Sequence, residues 1–131
     1  MAKRLIPEGV REFIAENIDS IAELEALLLF RRESDAGWST ASLAERLYAS
    51  TEQTEEAIAK LCSLGLVDVL ETDPLTYHYQ PSSTELDGMV SDIAETYSKY
   101  LVPVTNLIHS KPHSRIQQFA DAFKLRKKED K

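Results

Sequence analysis

Between Trp38 and Pro81 the chain is punctuated at intervals that suit one order of elements. Ser39 or Thr40 can cap a helix. Ser50 followed by Gln53 is a capping box, in which hydroxyl and side-chain amide each satisfy a backbone N–H left free by a first turn. Leu43, Ala44, Leu47 and Tyr48 mark the inward side of a helix over about 40–49. Thr54, Ala57, Ile58, Leu61 and Leu64 mark that of a second, over 51–64. The turn between them is very short, and Gly65 ends the second helix as a left-handed residue commonly does. Val67 and Val69 then alternate with Asp68, and Tyr77 and Tyr79 with His78, the two-residue period of half-buried strands. Asp73-Pro74-Leu75-Thr76 fits a type I turn between them, so the stretch reads as helix, helix, hairpin.

Upstream, Pro7 suits a first helical turn, and Val10, Phe13 and Ile14 give residues 7–17 an amphipathic helix that Gly9 weakens. Ser20 with Glu23 is a second capping box, opening a helix over 21–33. Its run Ile21, Leu24, Leu27, Leu28, Leu29, Phe30 is apolar on more than one face, as a central core helix must be. Downstream, Leu86, Val90, Ile93, Tyr97, Tyr100, Val104 and Leu107 step by fours and threes along a heptad seam, which Met89, Leu101 and Ile108 widen. Such a seam either covers the chain's own core or pairs with another helix. Its length and its two tyrosines favour a homodimer interface. Pro103 predicts a kink or break near residue 102, and Lys111-Pro112 predicts a second. A third box, Ser114 with Gln117, precedes a narrow apolar face of Ile116, Phe119, Ala120 and Phe123.

The order helix, helix, tight turn, helix, hairpin, with Trp38 after the first of these helices, Leu43-Ala44, Leu61 and the step Gly65-Leu66-Val67 into the hairpin, resembles a winged helix-turn-helix domain over roughly residues 19–81. The long helix after the hairpin is similar to the dimerising architecture of MarR-like and PadR-like bacterial regulators. The resemblance implies a mainly α fold with one small β-hairpin and three parts: an N-terminal helix (1–18), the winged domain (19–81) and a C-terminal dimerising extension (82–131). It also implies a recognition helix at 51–64, a wing at 66–81, and a dimeric DNA-binding transcription regulator. On those terms Thr51, Gln53, Glu56, Lys60 and Arg46 are the candidate DNA contacts.

Charge complicates that role. The 131 residues carry a formal charge of −7, unevenly spread. Residues 51–80 hold Glu52, Glu55, Glu56, Asp68, Glu71 and Asp73 against Lys60 alone. Residues 111–131 hold Lys111, Arg115, Lys124, Arg126, Lys127, Lys128 and Lys131 against Asp121, Glu129 and Asp130. Gln53 suits adenine and one glutamate suits cytosine N4, but every further carboxylate about 7 Å from a phosphate costs roughly 0.5 kcal/mol even in water. No Lys or Arg lies between Leu66 and Pro81. The alternative is a winged-helix adaptor that docks a protein through the acidic helix face or the C-terminal helices.

Composition narrows the remaining classes. With 43% hydrophobic and 28% charged residues the chain should fold around one core. No apolar run approaches a membrane span and the first residues lack a signal peptide's apolar stretch, so the expected location is the cytoplasm. Cys62, the one cysteine, reads as a buried inert thiol. His109 and His113 have metal-pair spacing, but Pro112 between them argues against a shared face. No Gly-x-Ser-x-Gly or Walker-type loop is present. Neither an enzyme, a cofactor nor a metal is expected.

Overall fold

The computed structural model describes residues 6–110. It contains α1 (Glu8–Asn17), α2 (Ile21–Arg32), α3 (Thr40–Leu47), α4 (Thr51–Ser63), β1 (Val67–Leu70), β2 (Thr76–Tyr79), α5 (Thr84–Lys99) and α6 (Leu101–His109). The basic segment after Ser110, with its capping box, its apolar face and His113, lies outside the described residues.

The centre of the fold is α2, as its all-round apolar sequence requires. Leu24, Ala26, Leu27, Leu29 and Phe30 are buried, and the helix packs against α3, α4, α5 and β2. Ser20 Oγ accepts the Glu23 N–H at 3.1 Å, closing the first turn. The return bond of the expected box falls one residue earlier, because Glu23 Oε1 reaches the Asp19 N–H at 2.8 Å.

Two further caps fix the neighbouring helices. Ser39 and Ser42 form a reciprocal box at the start of α3, and Ser50 and Gln53 form one at the start of α4. α4 buries Thr54, Ala57, Ile58 and Leu61, the spacing of one helical face. Gly65 follows with φ +77, and a Cβ there would stand 2.8 Å from Ser82 Oγ, so position and neighbour both demand glycine.

The hairpin pairs Val67 with Tyr79, Asp68 with His78, Val69 with Tyr77 and Leu70 with Thr76, antiparallel. Trp38 adds a bridge on the other edge of β2, exchanging two 2.8 Å backbone bonds with Tyr77. The segment before α3 is thereby tied to the wing. The Asp73–Pro74 peptide is cis, and the Thr72 hydroxyl donates to the Pro74 carbonyl at 2.7 Å.

The C-terminal helices break at Tyr100 (φ −130, ψ 57), two residues before the expected point. Pro103 sits in the first turn of α6, where it needs no N–H, and its ring excludes a helical carbonyl four residues back, at Lys99. α5 packs on α1 and α2 and α6 on α1. Val90, Ile93, Val104 and Ile108 join Ile14, Ile18, Leu24 and Phe30 in one cluster.

Candidate functional site

Tyr48 departs furthest from its sequence reading. It was expected to point inward, yet it is 97% exposed. As the residue just past α3 it takes φ 57, ψ 40, and its N–H bonds back to the Ala44 and Glu45 carbonyls. The left-handed conformation that ends α3 swings the side chain off the inward face that its position in the 40–49 pattern assigned to it. A bare aromatic ring therefore stands in the turn between α3 and α4.

α4 presents Thr51, Glu52, Gln53, Glu55 and Glu56 to solvent. Gln53 is exposed, but its Oε1 accepts the Ser50 N–H at 3.2 Å in the helix cap. That bond takes up one of the two acceptor lone pairs of Oε1, so the two-point contact adenine recognition would use competes with the cap. Lys60, the cation on this helix, turns away from the outward face. Its ammonium lies 3.1 Å from Asp19 Oδ2, and the two side chains are 30% and 20% exposed. The pair ties the C-terminal half of α4 to the loop between α1 and α2.

Arg46 is similarly engaged. It donates to Glu33 Oε2 at 3.2 Å, and its guanidinium carbon lies 5.7 Å from the centre of the Trp38 ring, within cation–π range. Of the five candidate contacts, Thr51, Gln53 and Glu56 thus share the outward surface of α4, while Lys60 and Arg46 are held by carboxylates of the chain itself. Sequence periodicity placed Lys60 outward because it could not see Asp19, 41 residues away.

The wing continues the pattern. Residues 71–75 are exposed, and Leu70 and Leu75 at its tip are 38% and 46% exposed beside Glu71 and Asp73. At its base Tyr79 donates to Asp87 Oδ1 at 2.6 Å, anchoring the hairpin to α5. Burial, and after it the hydrogen bond to Asp87, pushes the Tyr79 phenol well above its usual value.

Arg31 and Arg32, at the end of α2, line a groove of about 370 Å³ with Glu25, Leu28, Arg46 and Tyr97. Tyr97 donates to Glu25 Oε2 there at 2.8 Å. Cys62 is half-buried, and burial followed by Asp68 raises its thiol, so it is a poor nucleophile. Among the described residues no three His, Cys, Asp or Glu side chains are grouped to hold a metal, and no helix is long and apolar enough to cross a membrane.

The residues assigned to a dimer seam divide by burial. Val90, Ile93 and Val104 are fully buried against their own chain, while Leu86, Tyr97, Tyr100 and Leu107 are half-buried. Beside the α5–α6 break, Leu101 and Val102 are exposed by 54% and 62%.

A MarR-family transcriptional regulator from Silicibacter pomeroyi shares this arrangement with a TM-score of 0.51 at 14% identity, over 84% of this chain and 76% of that one. The fold is a MarR-type winged helix-turn-helix. A multiple antibiotic-resistance repressor (MarR) from Listeria monocytogenes aligns with a TM-score of 0.49 at 22% identity, over 90% of this chain and 81% of its own. A MarR-family protein from Bacillus stearothermophilus gives 0.48 at 17%, over 95% and 84%. No family model and no curated protein matches the chain. In winged-helix terms α4 occupies the recognition-helix position and β1–β2 form the wing. Tyr48 lies in the turn between the two helices of the motif.

Proposed function

We propose that the chain is a non-enzymatic regulator of transcription, built on a winged helix, that works through a protein contact made by α4 and the wing. The fold supports the regulatory class. The placement of charge carries the choice of partner: the recognition helix exposes Glu52, Glu55 and Glu56, its Lys60 is paired with Asp19, and the wing has no Lys or Arg. DNA binders neutralise about 6–10 phosphates, and this surface opposes them.

Electrophoretic retardation of random-sequence duplex between about 50 and 200 mM salt tests the proposal. The full chain is expected to retard nothing at the low end. Retardation that falls steeply with salt and disappears in Lys60→Ala with Gln53→Ala would overturn it.

A second reading, a homodimeric DNA-binding regulator, draws support from the exposed first turn of α4 with Thr51, and from Arg46. The Arg46–Glu33 pair is largely exposed, at 50% and 37%, so releasing the arginine toward a phosphate costs no more than about 1 kcal/mol. Arg31, Arg32 and the cations after Ser110 are the other sources of positive charge. In both readings we place a second copy against Leu101 and Val102, beside the half-buried part of the seam.

A further inference from the structure

Resting on the reading of the wing as a protein contact, we infer that its tip docks into a second copy of this chain, in the groove between α2, α3 and α5. Tip and groove have complementary chemistry. The tip is apolar and acidic, with Leu70 and Leu75 exposed and Glu71 and Asp73 exposed between them. The groove is apolar and cationic, because half-buried Leu28 and Leu47 line it together with Arg31, Arg32 and Arg46.

Neither set is satisfied within its own chain. Among the described residues Glu71, Asp73, Arg31 and Arg32 take part in no salt bridge. Arg46 is shared with Glu33 in an open pair. The one carboxylate lining the groove, Glu25, is engaged by the Tyr97 hydroxyl at 2.8 Å, so it leaves the arginines uncompensated. At about 370 Å³ the groove admits the side chains of a loop tip, whereas a helix with its side chains is about 10–12 Å across.

Placement makes the contact reciprocal. The loop over 33–37 separates groove from wing: Glu33 accepts from Arg46 at 3.2 Å, and a Cβ on Gly37 would stand 3.2 Å from Thr76 Oγ1 and 3.6 Å from Leu70 Cδ1. Groove and wing are therefore neighbours across one short loop, which lets two copies exchange tips about a two-fold axis. Opposite charge at both contacts sets the register. A hairpin tip buries less than the roughly 1,200 Å² of a stable interface, so the exchange is transient and salt-sensitive. While it lasts, neither wing is open to another partner, and the concentration of the chain sets how many wings are free.

Sedimentation equilibrium of the full chain carrying Leu101→Asp and Val102→Asp, between about 10 µM and 1 mM, isolates this contact. The weight-average mass is expected to rise with concentration, and to fall back at about 500 mM salt, where screening shortens to a few ångströms. Adding either Glu71→Lys with Asp73→Lys or Arg31→Glu with Arg32→Glu should weaken association at least tenfold. Mixing the two charge-reversed chains should restore it, since each then meets opposite charge at both contacts, and a fluorescent label on one chain should sediment with the other.

A mass that stays monomeric across the range overturns the proposal and leaves the groove to some other acidic partner. Association that both reversals leave intact overturns it, and so does loss without rescue on mixing. Leu75→Ser, at an exposed position, should also weaken association, and a chain that associates like its parent sinks the tip's part in it. DNA retardation in the salt series sinks the protein-contact reading of the wing, whereas a monomer without DNA binding sinks only the second copy's place in the groove.

Discussion

Tyr48 sits in the left-handed region with no packing to compensate. For an L-residue with a Cβ that conformation costs about 1 kcal/mol or more, which glycine avoids. Tyr48→Gly is therefore expected to raise stability by about 0.5–1 kcal/mol, seen as a higher urea midpoint with an unchanged slope. A loss of stability would mean that the ring packs in solution. The two ion pairs that engage Lys60 and Arg46 differ in weight. Lys60–Asp19 is mostly shielded and Arg46–Glu33 largely open. Double-mutant cycles should give about 1 kcal/mol for the first and under about 0.5 for the second, and the reverse order would show that solvent exposure does not set the strength of these two pairs.

At the scale of elements, two phenols join the winged part to the C-terminal helices: Tyr79 on β2 to Asp87 on α5, and Tyr97 on α5 to Glu25 on α2. Each donates to a carboxylate and must stay protonated to do so. Burial first, then the hydrogen bond to Glu25, pushes Tyr97 up to about 12. A phenol whose folded pKa lies above its unfolded value of 10 stabilises fully below pH 10, and its contribution is lost as pH rises through the folded value. The chain should thus lose stability between pH 10 and about 12, and Tyr97→Phe should flatten that fall when thermal unfolding is followed across the window. Gly65 is the other joint, between α4 and β1. Gly65→Ala meets both the positive φ and Ser82, and is expected to cost about 1–2 kcal/mol, measurable by denaturant titration.

At the scale of the whole molecule, α5 and α6 are part of the core. Ile93 is fully buried in the same cluster as Leu24 and Phe30, so Ile93→Ala should destabilise by about 2–5 kcal/mol. Leu101→Asp with Val102→Asp, on exposed positions, should leave the helical content unchanged and, on the proposed dimer, shift the sedimenting species from dimer to monomer. A monomer already present in the unsubstituted chain would remove the dimer from both functional readings.

What the sequence determined by itself was whatever acts over a few residues. The caps at Ser20, Ser39 and Ser50, the stop at Gly65, the two-residue alternation of the hairpin and the apolar run of α2 are local devices, each satisfied by neighbours within about four positions. Their order was enough to read a winged helix-turn-helix. What only the tertiary structure decided depends on partners distant in the chain. Lys60 finds Asp19, Arg46 finds Glu33 and Trp38, and the heptad seam finds α1 and α2. A helical pattern says which residues share a face, but the direction in which a long charged side chain turns depends on the charges that folding brings beside it.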